Sequence, residues 1–327
     1  MVYFQAIDDE WNVEQVEKTT QLQVDIKPGV RYNYYVVAGN EGGLSFPSPI
    51  VSAYKNDRSA NDQMVLIVDA FNEVYGPEWF ADSTYAGIVP GSYACEDRFT
   101  CAYIGQQWDF QRNHPWMNDD NCGWGACYRD HAGRLTIGNT RDYTAQHGRV
   151  LRKMNISYVS CTAGMLTSMH PLPSTFLLMD FICGRNKMPL QHDYYPIIAD
   201  YLNRGGKVLM STDHFSALDN NWSKQYLHAS YYATQATRSG IIQARASFRA
   251  PRRGYQVLLE PNDDQLFTDH PEAIRPTSNQ SEVIATYEDM RCPAAVSSPQ
   301  TIVFGFPLET CTDFNKLYKH AIERLIY

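Results

Sequence analysis

Five short, almost uninterrupted apolar runs constrain this chain more than anything else in it. They are "MVLIVDAF" starting at Met64, "ISYVSC" (156–161), "FLLMDFICG" (176–184), "KVLMSTDH" (207–214) and "TIVFGF" (301–306). A strand with one wet face alternates apolar and polar residues, whereas a strand covered on both faces reads as a continuous run. Between the third and fourth runs, "YYPIIADYLNRGG" places Tyr194, Ile197, Ile198, Tyr201 and Leu202 at helical spacing and stops at Gly205. The tail "DFNKLYKHAIERLIY" does the same, with Asp313 as N-cap and Phe314, Leu317, Ala321 and Leu325 on one stripe. Two-faced strands alternating with helices predict an α/β fold over 57–327, with a doubly wound, mostly parallel sheet.

Two stretches interrupt that alternation. The first, about 72–140, is rich in Gly, Asp, Asn, Trp and Cys. A structureless loop of that length is rare in a compact domain, so a cap insertion is expected. A second insertion spans about 215–300. Four of the eight cysteines, Cys95, Cys101, Cys122 and Cys127, fall in the first insertion. Their C-x5-C and C-x4-C spacing lacks the tighter knuckles that zinc favours, so no metal is expected; disulfides and free thiols remain open. Cys161 and Cys183 end apolar runs, where a buried thiol is the default. Cys161 as a nucleophile is the other reading, although no paired base is identifiable beside it.

Residues 1–56 have a different period. In "QLQVDIKPGVRYNYYVVAGNEGGLSFPSPIVSAY", Leu22, Val24 and Ile26, then Tyr32, Tyr34 and Val36, alternate as in half-buried strands, with turns at "KPG" and "NEGG". The stretch resembles the second half of a fibronectin type III module. Tyr32 stands where such sandwiches carry their corner tyrosine. A partial β-sandwich over 1–56 is therefore expected, joined by the polar linker "KNDRSANDQ". Because the likeness begins in mid-module, further domains are expected upstream of Met1.

Open parallel sheets bind ligands beyond the carboxyl ends of their strands. Here those ends supply Asp69, Ser160 and Cys161, Gly184, and then Ser211, Thr212, Asp213 and His214. The stretch "GNTRDYTAQHG" (138–148) opens a helix on the same edge. A carboxylate and a histidine make a general acid/base pair, so Asp69, His147, Asp213 and His214 are the catalytic candidates. Asn139, Asp142, Tyr143, Trp108 and Trp124 are the binding candidates, since aromatic rings stack on sugars. Each has a structural alternative. Asp142 caps a helix, Asn139 suits a turn, His147 fits a satisfied core histidine, and Asp69 ties down a neighbouring loop.

Charge and pattern exclude several classes. A net charge of -8 with no offsetting basic block argues against nucleic-acid binding. The densest basic stretch, with Arg245, Arg249, Arg252 and Arg253, reads as a solvated loop. No run approaches the ~18 apolar residues of a membrane span. The start has no signal-peptide pattern. No G-x-G-x-x-G or G-x-x-x-x-G-K-[ST] is present, so no nucleotide cofactor is expected.

The motifs "YIGQQWDFQRNHPWMNDDNCGWGA", "GNTRDYTAQHG", "YLNRGGKVLMS" and "IVFGFPLET" resemble a secreted family of anaerobic Gram-negative bacteria labelled xanthan lyase. That family is sometimes placed with N-acetylmuramoyl-L-alanine amidases and occurs beside golvesin-like modules. The resemblance implies a fibronectin type III module followed by a class I glutamine amidotransferase-like (flavodoxin-like) domain. It also implies a secreted, cell-surface or periplasmic setting. In such a fold "GGKVLM" leads into the nucleophile turn, but here "STDH" supplies no cysteine. Two functions follow as expectations. One is a non-catalytic or degenerate domain binding glycan, another envelope component or a protein partner. The alternative is a hydrolase or lyase acting on polysaccharide or peptidoglycan through a carboxylate/His pair.

Overall fold

In the computed structural model the five apolar runs are strands, hydrogen-bonded side by side and pointing the same way. The structure describes residues 2–7, 10–16, 21–40, 43–44, 48–57, 63–71, 79–81, 84, 86–88, 113–115, 143–245, 248, 254–260 and 265–327. Strands β1 (Val2–Ile7), β2 (Glu10–Val16), β3 (Arg31–Val37) and β4 (Val51–Tyr54) precede the first run, β5 (Met64–Asp69). Then come β6 (Tyr158–Thr162), β7 (Phe176–Gly184) and β8 (Lys207–Thr212). The second insertion holds β9 (Ala229–Ala233), β10 (Ile241–Ala244) and β11 (Tyr255–Gln256). It continues with β12 (Ala273–Pro276), β13 (Glu282–Tyr287) and β14 (Pro293–Ser297), before β15 (Thr301–Phe304) closes the set. The longer helices are α1 (Tyr143–Lys153), α2 (Tyr194–Asn203) and α3 (Phe314–Ile326).

The parallel centre runs β6-β5-β7-β8-β15. Numbered along the chain, that is the order 2-1-3-4-5 of flavodoxin-type sheets, which reverses direction between β5 and β7. Strand parity explains the continuous apolar runs. Val65, Ile67, Leu178, Ile182, Leu209, Ile302 and Phe304 face one core with α1 and α3. Leu66, Val68, Met179, Phe181, Val208, Met210 and Val303 face the other with α2. These strands carry apolar residues on both faces because each face has a helix or loop to cover it.

Antiparallel wings extend this centre on both sides. β13 and β14 continue the sheet beyond β15, with β10 and β11 at that edge. Much of the second insertion is therefore sheet. At the other side β4 pairs with β6, bringing Tyr54 opposite Tyr158, and β3, β1 and β2 follow in turn.

The N-terminal strands are thus one antiparallel layer continuous with the central sheet, where sequence reading expects a sandwich of its own. Buried polar contacts fasten the join. Ser52 Oγ lies 2.9 Å from Tyr158 Oη, Thr144 donates to Ile50 O at 2.6 Å, and Tyr54 donates to Asn155 at 2.8 Å. Arg31, almost fully buried, reaches Ala145 O at 3.4 Å. Tyr32 stacks parallel on Tyr34, at 6.4 Å between ring centres. Gly148 in α1 is needed for the same join, because a Cβ there would stand in the Tyr158 phenol ring.

The chain divides into two compact units, the second being residues 73–142 with 263–265. Its described part includes a short hairpin, Trp79–Ala81 paired with Ala86–Ile88.

Candidate functional site

In a 2-1-3-4-5 sheet the ligand crevice is expected where β5 and β7 diverge. Here it is packed shut. Phe71, fully buried, lies against Gly184, whose φ of +54° and missing side chain leave room for the ring. Tyr143 stacks on the same ring at 5.8 Å. Asn186 donates to Ala70 O across the gap. Asp69 therefore ends its strand beneath this plug at 1% exposure, with Oδ1 accepting from Phe71 N at 3.0 Å. That contact ties Asp69 to the start of the loop that follows its own strand. Tyr143, a binding candidate, is 1% exposed with its ring on Phe71. A soluble sugar has no face of it to stack on.

His147 sits one turn into α1, as the helix start predicts, but it faces the sheet and not the rim. Its Nδ1 donates to Asp180 at 2.6 Å and its Nε2 to Glu309 at 2.9 Å. Tyr318 donates to the same Asp180 oxygen at 2.5 Å, and the rings of Phe314 and Tyr318 cover the imidazole at 4.8 and 4.4 Å. Burial opposes protonation, but the two carboxylates outweigh it and push the His147 pKa up to about 9. At neutral pH this is an imidazolium between two anions, with both nitrogens engaged and no exposure. Held between two buried carboxyl groups, His147 neutralises charge inside the core and lies away from the strand-end rim.

The third cluster reaches the surface. β8 ends in Thr212, and Asp213 follows with no exposure. One carboxylate oxygen accepts from His214 Nδ1 at 2.7 Å and the other from Thr268 at 2.7 Å. Adjacent residues cooperate here because the chain leaves the strand, with His214 at φ −124°, ψ 44°. His270 Nδ1 donates to Asp213 O at 3.1 Å, and its ring stacks on His214 at 4.9 Å, tilted only 13°. A carbonyl can only accept, so His270 carries a proton on Nδ1; its Nε2 lies 2.9 Å from Thr234 Oγ1. Glu272 takes both donors of Ser216, at 2.5 and 2.8 Å, and burial holds its carboxyl above the ordinary range. For His214, burial opposes protonation, but Asp213, backed by Glu272 and Asp269, raises its pKa above the usual value.

His214 keeps 21% of its side chain in solvent, and its Nε2 has no hydrogen-bond partner among the described residues. This is how a carboxylate orients an imidazole for general acid/base work. Of the four catalytic candidates, only His214 presents a ring nitrogen to solvent. The structure joins Asp213 to His214, and His147 to Asp180 and Glu309.

Burial and the nearby Asp69 raise the Cys161 thiol pKa to about 12, which disfavours the thiolate. Burial likewise raises Cys311 to about 12 and Cys183 well above the ordinary value. Asn139, Asp142, Trp108, Trp124, Arg141 and the four cysteines of the first insertion lie outside the described residues. No group of three or more metal-ligating side chains occurs among the described residues. No helix there is long and apolar enough to cross a membrane.

Sequence reasoning passed over Asp180, Glu309, Thr268, His270 and Glu272. Asp180 carried a signal, since a carboxylate inside "FLLMDFICG" must find a buried partner. "PLET" and "TDHPE" carry none, being ordinary loop chemistry until the fold closes.

No family model matches this sequence, and no curated protein matches it significantly. Among solved structures, a glutamine amidotransferase from Thermotoga maritima aligns over 50% of this chain and 69% of its own, at 14% identity and a TM-score of 0.31. The α/β class rests on the strand order and the two-sided core described above.

Proposed function

We propose that the chain is a binding domain of a secreted, cell-surface or periplasmic protein, taking glycan or another envelope component, without covalent catalysis. The observation that carries this reading is the closure of the expected active crevice by Phe71 over Gly184. The absence of a thiol at the turn after β8 supports it, as do the raised pKa values of the described buried thiols. The likeness of 1–56 to a fibronectin type III module and of the remainder to the xanthan lyase-labelled family supports the envelope setting.

A second reading, a hydrolase or lyase acting on polysaccharide or peptidoglycan, is favoured by His214. Its Nε2, without a hydrogen-bond partner among the described residues and backed by Asp213, has the geometry of a general base.

One experiment separates the two. Wild type and His214→Ala are incubated with soluble polysaccharides and solubilised peptidoglycan, with binding and product formation followed together. Retained binding with intact polymer in both proteins upholds the first reading. Product that disappears with His214→Ala establishes the second and overturns the first.

A further inference from the structure

We infer that Tyr195, Trp222 and Tyr226 form a sugar-stacking subsite beside the carboxyl edge of β7 and β8, with His192 at its end. The inference rests on the binding reading above and gives that reading a place. α2 begins after β7, and the segment 215–227 leaves β8 directly past Asp213 and His214, so both elements issue from the ligand-bearing edge of the sheet.

The three rings form a continuous ladder. Trp222 meets Tyr195 edge-on, with centres 4.8 Å apart and planes at 78°, and Tyr226 follows at 5.6 Å. His192 lies 6.5 Å beyond Tyr195. Tyr195, Trp222 and Tyr226 are only half-buried, although the residues just inside them, Leu218 and Leu227, are fully packed. The three rings pack against that core while remaining part-exposed.

The ladder is also held in place before any ligand arrives. Trp222 Nε1 donates to Tyr195 O at 3.2 Å, and the Tyr195 hydroxyl accepts from Asp219 N at 3.1 Å. Asp219 in turn caps Trp222 N at 2.7 Å. With the indole N–H engaged, the part-exposed Trp222 ring is fixed in place. Fixing it lowers the ordering cost of binding. The turn that carries Tyr226, Ser223–Leu227, is a π-helix closed by His228 at φ +54°. Single π turns are uncommon and frequent at functional sites.

The surroundings select the ligand class. Gln191, Asn220, Asn221 and Gln225 are exposed around the ladder, and Lys224 is balanced by Asp193 and Asp219. Neutral carboxamides both donate to and accept from hydroxyls, while the electron-rich ring faces attract the C–H faces of a pyranose. A nucleic-acid strand needs an excess of cations that this patch does not have.

The test uses the full chain with cellohexaose, chitohexaose and a soluble muropeptide dimer, titrated calorimetrically. At least one probe is expected to bind. Trp222→Ala is expected to weaken that binding at least tenfold and Tyr226→Ala about threefold or more, with Trp222→Phe retaining most of it. The double variant Gln225→Ala/Tyr226→Ala, altered only at the rim, keeps the test decisive if Trp222→Ala does not fold. Unchanged affinity in that double variant overturns the subsite while leaving glycan binding elsewhere intact. Failure of every probe to bind wild type overturns both the subsite and the reading beneath it.

Discussion

His147 and His214 lean on aspartates in nearly the same way, through Nδ1 at 2.6 and 2.7 Å. They differ in what the second nitrogen meets. For His147 it is a buried glutamate at 2.9 Å, while for His214 it is solvent. A histidine–aspartate pair therefore says little by itself. Whether it stores charge inside a core or offers a base to a ligand depends on whether the far nitrogen is closed off.

The largest effect that would break this contrast lies at His147. Replacing it with alanine leaves Asp180 and Glu309 facing each other without a cation in a fully buried site. We expect a loss of roughly 3–5 kcal/mol in urea denaturation, the cost of uncompensated buried charge. A loss under about 1 kcal/mol would show the cluster to be incidental.

The same residue predicts a pH dependence. Its folded-state pKa of about 9 lies above the ordinary 6.5. The associated stability is thus complete below pH 6.5 and is lost as pH rises toward 9. On the order of 3 kcal/mol is at stake. Denaturation midpoints measured across that range should fall in wild type and flatten in a His147 variant that still folds.

Gly184→Ala sharpens the comparison at the plugged crevice. It places a Cβ inside the Phe71 ring at a left-handed φ of +54°. A cost of about 2 kcal/mol is expected, smaller when Phe71 is also truncated, as a double-mutant cycle would measure. Additivity would mean that Phe71 is not what fills the site.

His214→Ala should cost least, about 1 kcal/mol or below, because water can reach the vacated place beside Asp213. In wild type, the NMR titration of His214 should lie above the ordinary histidine value, with the proton on Nδ1 when neutral. Asp213→Asn should lower it. A His214 insensitive to that change would refute the orienting role of the aspartate.

Much of the fold was legible because burial on two faces writes itself into consecutive residues. "MVLIVD" and "FLLMDFICG" need no partner to be recognised as covered strands, and the parallel centre is what their spacing predicts. Of the N-terminal alternations, Tyr32, Tyr34 and Val36 lie on a strand as read, whereas Leu22, Val24 and Ile26 do not; the destination of the strands was not legible. Whether Val51–Tyr54 pairs within a separate sandwich or on β6 depends on Ser52 meeting Tyr158 and on Gly148 admitting the phenol.

The candidate site was less legible. Asp213 and His214 were found because they are neighbours at a strand end. Their setting was hidden, since Thr268, His270 and Glu272 arrive from more than fifty residues away. His147 was found and its neutralising role missed, because Asp180 and Glu309 lie 33 and 162 positions along the chain.

The amino-acid sequence by itself determined the five covered strands of the centre and the three longer helices, because those follow from local periodicity; the strands within 215–300 were not read from it. The tertiary structure alone decided that Phe71 closes the crevice, that His147 is enclosed between two carboxylates, and that His214 keeps one nitrogen in water. Those outcomes depend on which distant groups share a few ångströms, and no local pattern encodes that distance.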